Sequence, residues 1–156
     1  MRLTSYTDYS LRVLMFLASQ RERLVTIQDI ADLHAISKNH LTKVVHQLAL
    51  LGLVESVRGR NGGLRLGREP AQINIGQVVR QTETDFDTAE CFNREHQSCA
   101  YVQACALKTA LRQATAAFLA VLDNLTLDQL LGGQPGGQQQ VIDISALQRP
   151  PPSSSD

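Results

Sequence analysis

The sequence predicts a mainly α-helical fold with one small β-hairpin. Apolar residues recur at helical spacing in several segments, and two short β-like segments flank a glycine-rich turn at residues 58–63. With 156 residues, 43% of them hydrophobic, the chain can build one modest core. The expected architecture is therefore a single small domain with a polar tail.

Two helices are predicted at the start of the chain. Apolar spacing predicts the first from Thr4 to about Ala18. The second begins at Thr26, where Asp29 completes a capping-box-like pair, and ends near His34. Its predicted core positions are Ile27, Ile30, Ala31 and Leu33.

A third helix is predicted from the Ser37 cap to Gly52. Its inner positions are Leu41, Val44, Val45, Leu48 and Leu51, and its outer positions are Lys38, Asn39, His40, Thr42, Lys43, His46 and Gln47. Two short helices joined by residues 35–37, the second basic on its outer face, are typical of a helix-turn-helix. A helical hairpin without DNA contacts is the alternative.

The segment after this pair predicts a two-stranded wing. Residues 53–57 and 64–66 read as strands around the turn, in which Asn61 and Gly62 both tolerate positive φ. Arg58 and Arg60 are then expected at the tip, with Arg65 on the returning strand, where they could meet phosphates or enter a minor groove. A solvated basic loop is the alternative.

Charge is distributed unevenly along the chain. Residues 1–80 carry 11 Lys and Arg against 6 Asp and Glu, whereas residues 81–156 carry 4 against 9. A basic half fits a polyanion such as nucleic acid, and the neutral total argues against indiscriminate binding to membranes or RNA. No signal peptide and no apolar run of about 18 residues is present, so we expect a cytoplasmic protein without a membrane partner.

All 3 cysteines, Cys91, Cys99 and Cys105, fall within one loop-like segment. An odd number of thiols in a reducing compartment favours metal or redox chemistry over a disulfide. The spacing lacks the C-x2-C pair of most structural zinc sites, and iron–sulfur clusters usually take four thiolates. The cysteines therefore indicate a metal site that lacks one ligand, with ordinary half-buried cysteines as the alternative.

A helix starting at Asn74 and a long helix from Ala104 are predicted in the second half of the chain. The long helix spaces its apolar residues by alternating steps of three and four, which is typical of a coiled-coil seam. The seam residues are Ala104, Leu107, Leu111, Ala114, Phe118, Val121 and Leu125. Pairing with a second copy is expected, and burial against the chain's own domain is the alternative. A short helix opened by Thr126 should follow and end by Gly132.

These segments resemble the winged-helix iron–sulfur regulators of the Rrf2 class over residues 1–131, and most closely its nitric-oxide-sensing repressors. The resemblance is carried together by residues 3–9, 36–41, 52–54, 58–63 and the three cysteines. It implies a homodimer that binds palindromic promoter DNA, with the long helix at the interface. It also implies an iron–sulfur cluster, for which 4Fe-4S is favoured over 2Fe-2S.

Three residues are candidates for the fourth ligand: Asp8, His96 and Glu90. Asp8 is preferred because it lies nearly opposite the apolar face of the first helix, and the resemblance implies a carboxylate from the first helix of the other subunit. An exposed ion pair with Arg12 is the alternative role. Lys108 stands where other branches of the class carry a histidine, which favours the nitric-oxide sensor.

The expected function is a switch rather than an enzyme. Nitric oxide would attack iron, displace Asp8 of the partner subunit and release the promoter. The predicted ligands are Cys91, Cys99, Cys105 and Asp8, and the predicted DNA contacts are Lys38, Asn39, His40, Lys43, Arg58, Arg60 and Arg65. A cluster regulator that senses iron or oxygen and a metal-free thiol redox repressor stay open as alternatives.

The expected domains are residues 1–82 for DNA binding, 83–103 for the cluster loop, 104–131 for dimerisation with the short terminal helix, and 132–156 for a disordered tail.

Overall fold

The computed structural model describes residues 2–89, 92 and 105–132. Within these ranges the chain is helical with one antiparallel hairpin, which confirms the predicted fold class. In chain order, the elements are α1 (Ser5–Ser19), α2 (Ile27–His34), α3 (Lys38–Leu50), β1 (Val54–Val57), β2 (Gly63–Leu66), a 3-10 turn (Pro70–Gln72), α4 (Ile75–Thr82), α5 (Ala106–Asp123) and α6 (Leu127–Leu130).

Helix starts follow directly from local side-chain chemistry. Thr4, Thr26, Ser37, Asn74 and Thr126 each accept the backbone N–H of the residue three positions later, at 2.9–3.4 Å. Each bond satisfies a backbone donor that the helix itself cannot pair. The helix starts predicted at these residues are confirmed.

The α2–α3 turn depends on one unusual backbone conformation. Ala35 has a φ of 52°, in the left-handed region, and the N–H of Ile36 donates to Ala31 at 3.2 Å. Buried Ile36 then holds the turn against the core. The predicted burial of Leu33 is wrong: this side chain is 41% exposed, because no element of the described chain covers that side of α2.

The hairpin pairs Glu55 with Arg65 and is tied to the body of the domain by a bridge between Val25 and Leu64. Its turn is closed by the N–H of Gly62, which donates to Gly59 at 3.0 Å. Positive φ falls on Gly59, at 121°, rather than on the Asn-Gly pair suggested by the sequence. Gly62 is required for a different reason, since an added Cβ would collide with the carbonyl of Val57.

A single apolar core lies between α1, α2, α3, the base of the hairpin, α4 and α6. Its largest fully buried side chains include Leu14, Ile30, Leu41, Leu48, Ile73 and Leu127. Burial of Leu127 shows that the chain returns to the core of the N-terminal half after α5. The short terminal helix is therefore part of this core.

Helix α5 differs from the others because none of its residues is buried. The seam residue Leu125, together with Leu119 and Leu122, packs against the core, whereas the seam residues Leu107 and Val121 are 65% and 64% exposed. The predicted seam is therefore only partly covered by the chain's own domain. Ala104 and the tail beyond Gly132 lie outside the described residues, and the expected domain boundaries stay predictions.

Candidate nucleic-acid interface and metal centre

The first two turns of α3 present the predicted DNA-contacting side chains to solvent. Lys38, Asn39, His40 and Lys43 are exposed, while the opposite face of the helix is buried in the core. This arrangement follows from the helical spacing of the inner residues. The ring of His40 also stacks on Tyr9 of α1, with ring centroids 6.3 Å apart.

An open groove of about 500 Å³ lies between the first turns of α2 and α3 and the hairpin. We call it the α3–wing groove. Lys38 lines it together with Thr26, Gln28, Thr42 and Ser56, none of which was predicted as a site residue. The first turn of α2 lies beside the groove, and its helix dipole is positive at this end. Only the cap at Thr26 was visible in the sequence, because the groove exists only once the hairpin packs beside the helices.

The wing arginines are not equivalent. Arg65 donates to Glu55 at 2.9 Å across the hairpin, and this hydrogen bond lowers the pKa of the Glu55 carboxyl. Arg58 and Arg60 are exposed in the turn and form no ion pair with any residue that the structure describes. Two of the three guanidinium groups are thus available to an anion without giving up a partner.

Cys105 is the one predicted cysteine ligand within the described residues. It is half-buried and unpaired at the N-cap of α5, where its Sγ accepts the N–H of Lys108 at 3.4 Å. Cysteine sulfur is the usual protein ligand of iron–sulfur clusters. The Lys108 ammonium lies 5.8 Å from the ring centroid of Phe92, the residue that follows Cys91 in the sequence. Phe92 therefore lies beside the first turn of α5.

The remaining predicted donors are only partly described. Cys91, Cys99, His96 and Glu90 lie outside the described residues. Among the residues that are described, no three His, Cys, Asp or Glu side chains converge on one point. The ligand set therefore stays a prediction.

Asp8 lies on the exposed side of α1, as its position on the helical wheel predicts. Its carboxylate is 3.0 Å from Arg12, and the two side chains are 44% and 45% exposed. His34 lies close enough for both charges to act on it: burial lowers the pKa of its imidazole, Arg12 lowers it further, and Asp8 raises it. The alternative ion-pair role considered for Asp8 is thus present in the structure.

Residues 3–133 match a family model described as the Rrf2 iron-dependent transcriptional regulator. The chain belongs to the Rrf2 family. A relative from Bacillus licheniformis, the HTH-type transcriptional regulator NsrR, is 55% identical over 135 residues, which cover 86% of this chain and 94% of the relative.

Solved structures from the Rrf2 fold support the same assignment. IscR of T. potens aligns with a TM-score of 0.67 and 26% identity over 85% of this chain and 88% of that chain. CymR, the global cysteine regulator of B. subtilis, aligns with a TM-score of 0.68 and 26% identity over 86% of this chain and 98% of that chain.

The Rrf2 assignment confirms the predicted winged helix-turn-helix and the predicted function as a DNA-binding transcriptional regulator rather than an enzyme. The description of the family model also states that these regulators depend on iron. Within the described part of the chain, no helix combines the length and apolar character needed to cross a membrane.

Proposed function

We propose that this chain is a nitric-oxide-responsive iron–sulfur repressor that binds palindromic promoter DNA as a homodimer in the cytoplasm. The observation that carries the proposal is the position of Cys105. This thiol caps α5, the helix whose apolar residues Leu107 and Val121 stay exposed in the single chain. If Cys105 is a metal ligand, it would bind at the start of the helix that we propose as the dimer interface.

The donors within the described residues fit an iron–sulfur cluster. Cys105 offers a half-exposed sulfur at a helix N-terminus, and Asp8 offers an exposed carboxylate. With Cys91 and Cys99 they would form a site of three thiolates and one oxygen, with Asp8 supplied by the partner subunit. A 4Fe-4S cluster suits this set better than a 2Fe-2S cluster. Bound there, it would supply iron that nitric oxide attacks, most readily where the ligand is a carboxylate.

Asp8 can serve as this ligand at little cost. Its pair with Arg12 is an exposed contact between residues four apart on one helix. Such pairs contribute only about 0.3–0.5 kcal/mol. Asp8 can therefore leave Arg12 to bind the cluster and return to Arg12 when the cluster is lost.

A change in ligation at Asp8 could affect the proposed DNA-binding surface through the neighbouring residue. The next residue, Tyr9, stacks on His40 in the first turn of α3. A displacement of α1 would therefore move or release a side chain expected to contact DNA. In a dimer, the two α3 helices must lie about 34–36 Å apart to read both halves of a palindrome, so a small shift lowers affinity.

The proposed DNA contacts divide by position. Lys38, Asn39, His40 and Lys43 would contact bases or neighbouring phosphates from α3. Arg58 and Arg60 would contact the backbone or the minor groove from the wing tip, with Arg65 held back by Glu55. The α3–wing groove would receive a backbone segment beside Lys38.

Native mass spectrometry of anaerobically prepared protein tests the cofactor and the dimer together. We expect a dimer that carries one cluster per subunit, and we expect the cluster mass to disappear after nitric oxide is added. Protein that stays free of iron and sulfide after anaerobic reconstitution would contradict the proposal and would favour a thiol-based redox repressor. A cluster that resists nitric oxide would favour a sensor of iron or oxygen.

The ligand role of Asp8 has a matched control. Asp8→Ala and Arg12→Ala both remove the ion pair, but only the first removes the carboxylate. We expect Asp8→Ala to change the absorption spectrum and to speed cluster loss to a chelator, whereas Arg12→Ala should retain the wild-type spectrum. Equal behaviour of the two variants would assign the fourth ligand to another residue.

A further inference from the structure

The end of α5 is joined to α4 by a dense set of contacts. The side chain of Asn74 donates to the carbonyl of Asp123 at 2.6 Å, and the N–H of Ile75 donates to the carbonyl of Leu125 at 2.9 Å. Gly76 lets the two backbones approach, because an added Cβ would lie 2.8 Å from the nitrogen of Asp123. The two helices therefore meet at a fixed point.

A bidentate ion pair adds to the contacts between α4 and the end of α5. The two terminal nitrogens of Arg80, Nη1 and Nη2, donate to the Asp123 carboxylate, and the Nη2 bond is 2.7 Å long. Each side chain is 41% exposed, so the pair contributes little to stability through charge alone. Two parallel hydrogen bonds do, however, fix the relative orientation of the groups they join.

The other end of α4 is bonded to the start of α1. The hydroxyl groups of Thr7 and Thr82 are buried and lie 2.9 Å apart, and the N–H of Thr4 donates to Glu83 at 2.8 Å. Helix α1 packs in turn against α3. Helix α4 thus connects the proposed dimerisation helix to the element that supports the DNA-reading helix.

We propose that the Arg80–Asp123 pair is a positioning device that sets the angle between α5 and the DNA-binding domain, and thereby the half-site spacing that the dimer accepts. This inference rests on the proposed function, because it requires a dimer formed through α5. Arg80 and Asp123 are positioning residues without a direct role in DNA or metal binding. A fixed angle gives two rigidly spaced α3 helices, whereas a loose angle lets them adapt to several spacings.

The test measures the affinity of full-length dimers for three operators: the natural palindrome and versions with one base pair added or removed between the half-sites. Arg80→Ala is compared with Arg21→Ala. Arg21 and Glu69 form a similar exposed bidentate pair, at 2.7 and 2.9 Å, but this pair does not involve α5. The control thus removes the same charge and the same kind of contact.

We expect wild type and Arg21→Ala to prefer the natural spacing, measured as the ratio of affinities for the natural and altered operators. In Arg80→Ala this ratio should be at least about fivefold smaller, which is the lower end of typical coupling between sites. Affinity for an isolated half-site should be the same in all three proteins. Asp123→Asn keeps the side-chain shape and should lose part of the preference, so it tests the same device if Arg80→Ala is poorly folded.

The outcomes separate the two proposals. Wild-type protein that ignores half-site spacing would overturn both the dimeric reading of a palindrome and this inference. Wild-type preference that is retained in Arg80→Ala and Asp123→Asn would overturn the inference alone. Equal loss of preference in Arg80→Ala and Arg21→Ala would also overturn it, because the effect would then follow charge rather than the α4–α5 junction.

Discussion

The difference between the wing arginines makes a quantitative prediction about DNA binding. Arg58 and Arg60 are exposed without an ion-pair partner in the described chain, whereas Arg65 is held by Glu55 at 2.9 Å. We expect the first two to neutralise phosphates. Arg58→Gln, Arg60→Gln and Arg65→Gln would each remove one positive charge from a wing, so the three variants separate position from charge.

The expected magnitude follows from counterion release. Each neutralised phosphate contributes about 0.9 to the slope of log affinity against log salt concentration. A dimer presents two wings, so Arg58→Gln or Arg60→Gln should reduce the slope by about 1.8. When salt is raised from about 50 to 200 mM, the factor by which wild-type affinity falls should be roughly ten times the factor for such a variant. Arg65→Gln should change the slope much less.

Fluorescence anisotropy of a labelled operator over a KCl series provides the measurement. The double variant Glu55→Gln/Arg65→Gln is the matched control, because it removes the ion pair without changing the net charge. Its slope should equal that of wild type. Wild-type slopes for Arg58→Gln and Arg60→Gln, or a reduced slope for the double variant, would refute the assignment of phosphate contacts to the turn.

Three further predictions concern stability and ligation. Gly76→Ala should destabilise the fold by about 1–3 kcal/mol in urea unfolding, because the new methyl group would collide with the backbone of Asp123; unchanged stability would contradict the close approach. A backbone hydrogen bond, followed by an ion pair, lowers the pKa of Asp29. Its contribution to stability is therefore present above the ordinary carboxyl pKa and lost as pH falls through the lowered pKa. In that acid range, the free energy of unfolding of Asp29→Asn should therefore depend less on pH than that of wild type. Mixed dimers of one Asp8→Ala subunit and one Cys105→Ser subunit should keep one intact cluster site by native mass spectrometry; none would remain if Asp8 served its own subunit.

Local features of the fold could be predicted from the sequence because their causes are local. Thr26 and Asp29 satisfy each other's backbone donors within one turn, so the start of α2 depends on nothing distant. The alternation of inner and outer residues in α3 likewise follows from helical spacing. Leu33 shows where this reasoning ends, since its exposure depends on which elements reach that side of α2.

The candidate site was less accessible to sequence reasoning because it is assembled from distant segments. The α3–wing groove needs the hairpin to pack beside α2, and the Arg65–Glu55 pair needs the observed strand register. The Arg80–Asp123 pair could not be predicted either, because the two residues lie 43 positions apart in the chain. Asp8 was identified by its exposed position on α1, but its pairing with Arg12 required the side-chain geometry.

Operator affinity of anaerobic, cluster-loaded protein before and after nitric oxide tests the central claim most directly. We expect tight binding to a palindromic promoter site that weakens at least about fivefold when nitric oxide is added, as for typical coupling between two sites. Affinity that is unchanged by nitric oxide, in protein whose cluster is shown to react, would contradict the coupling of ligation at Cys105 and Asp8 to DNA binding.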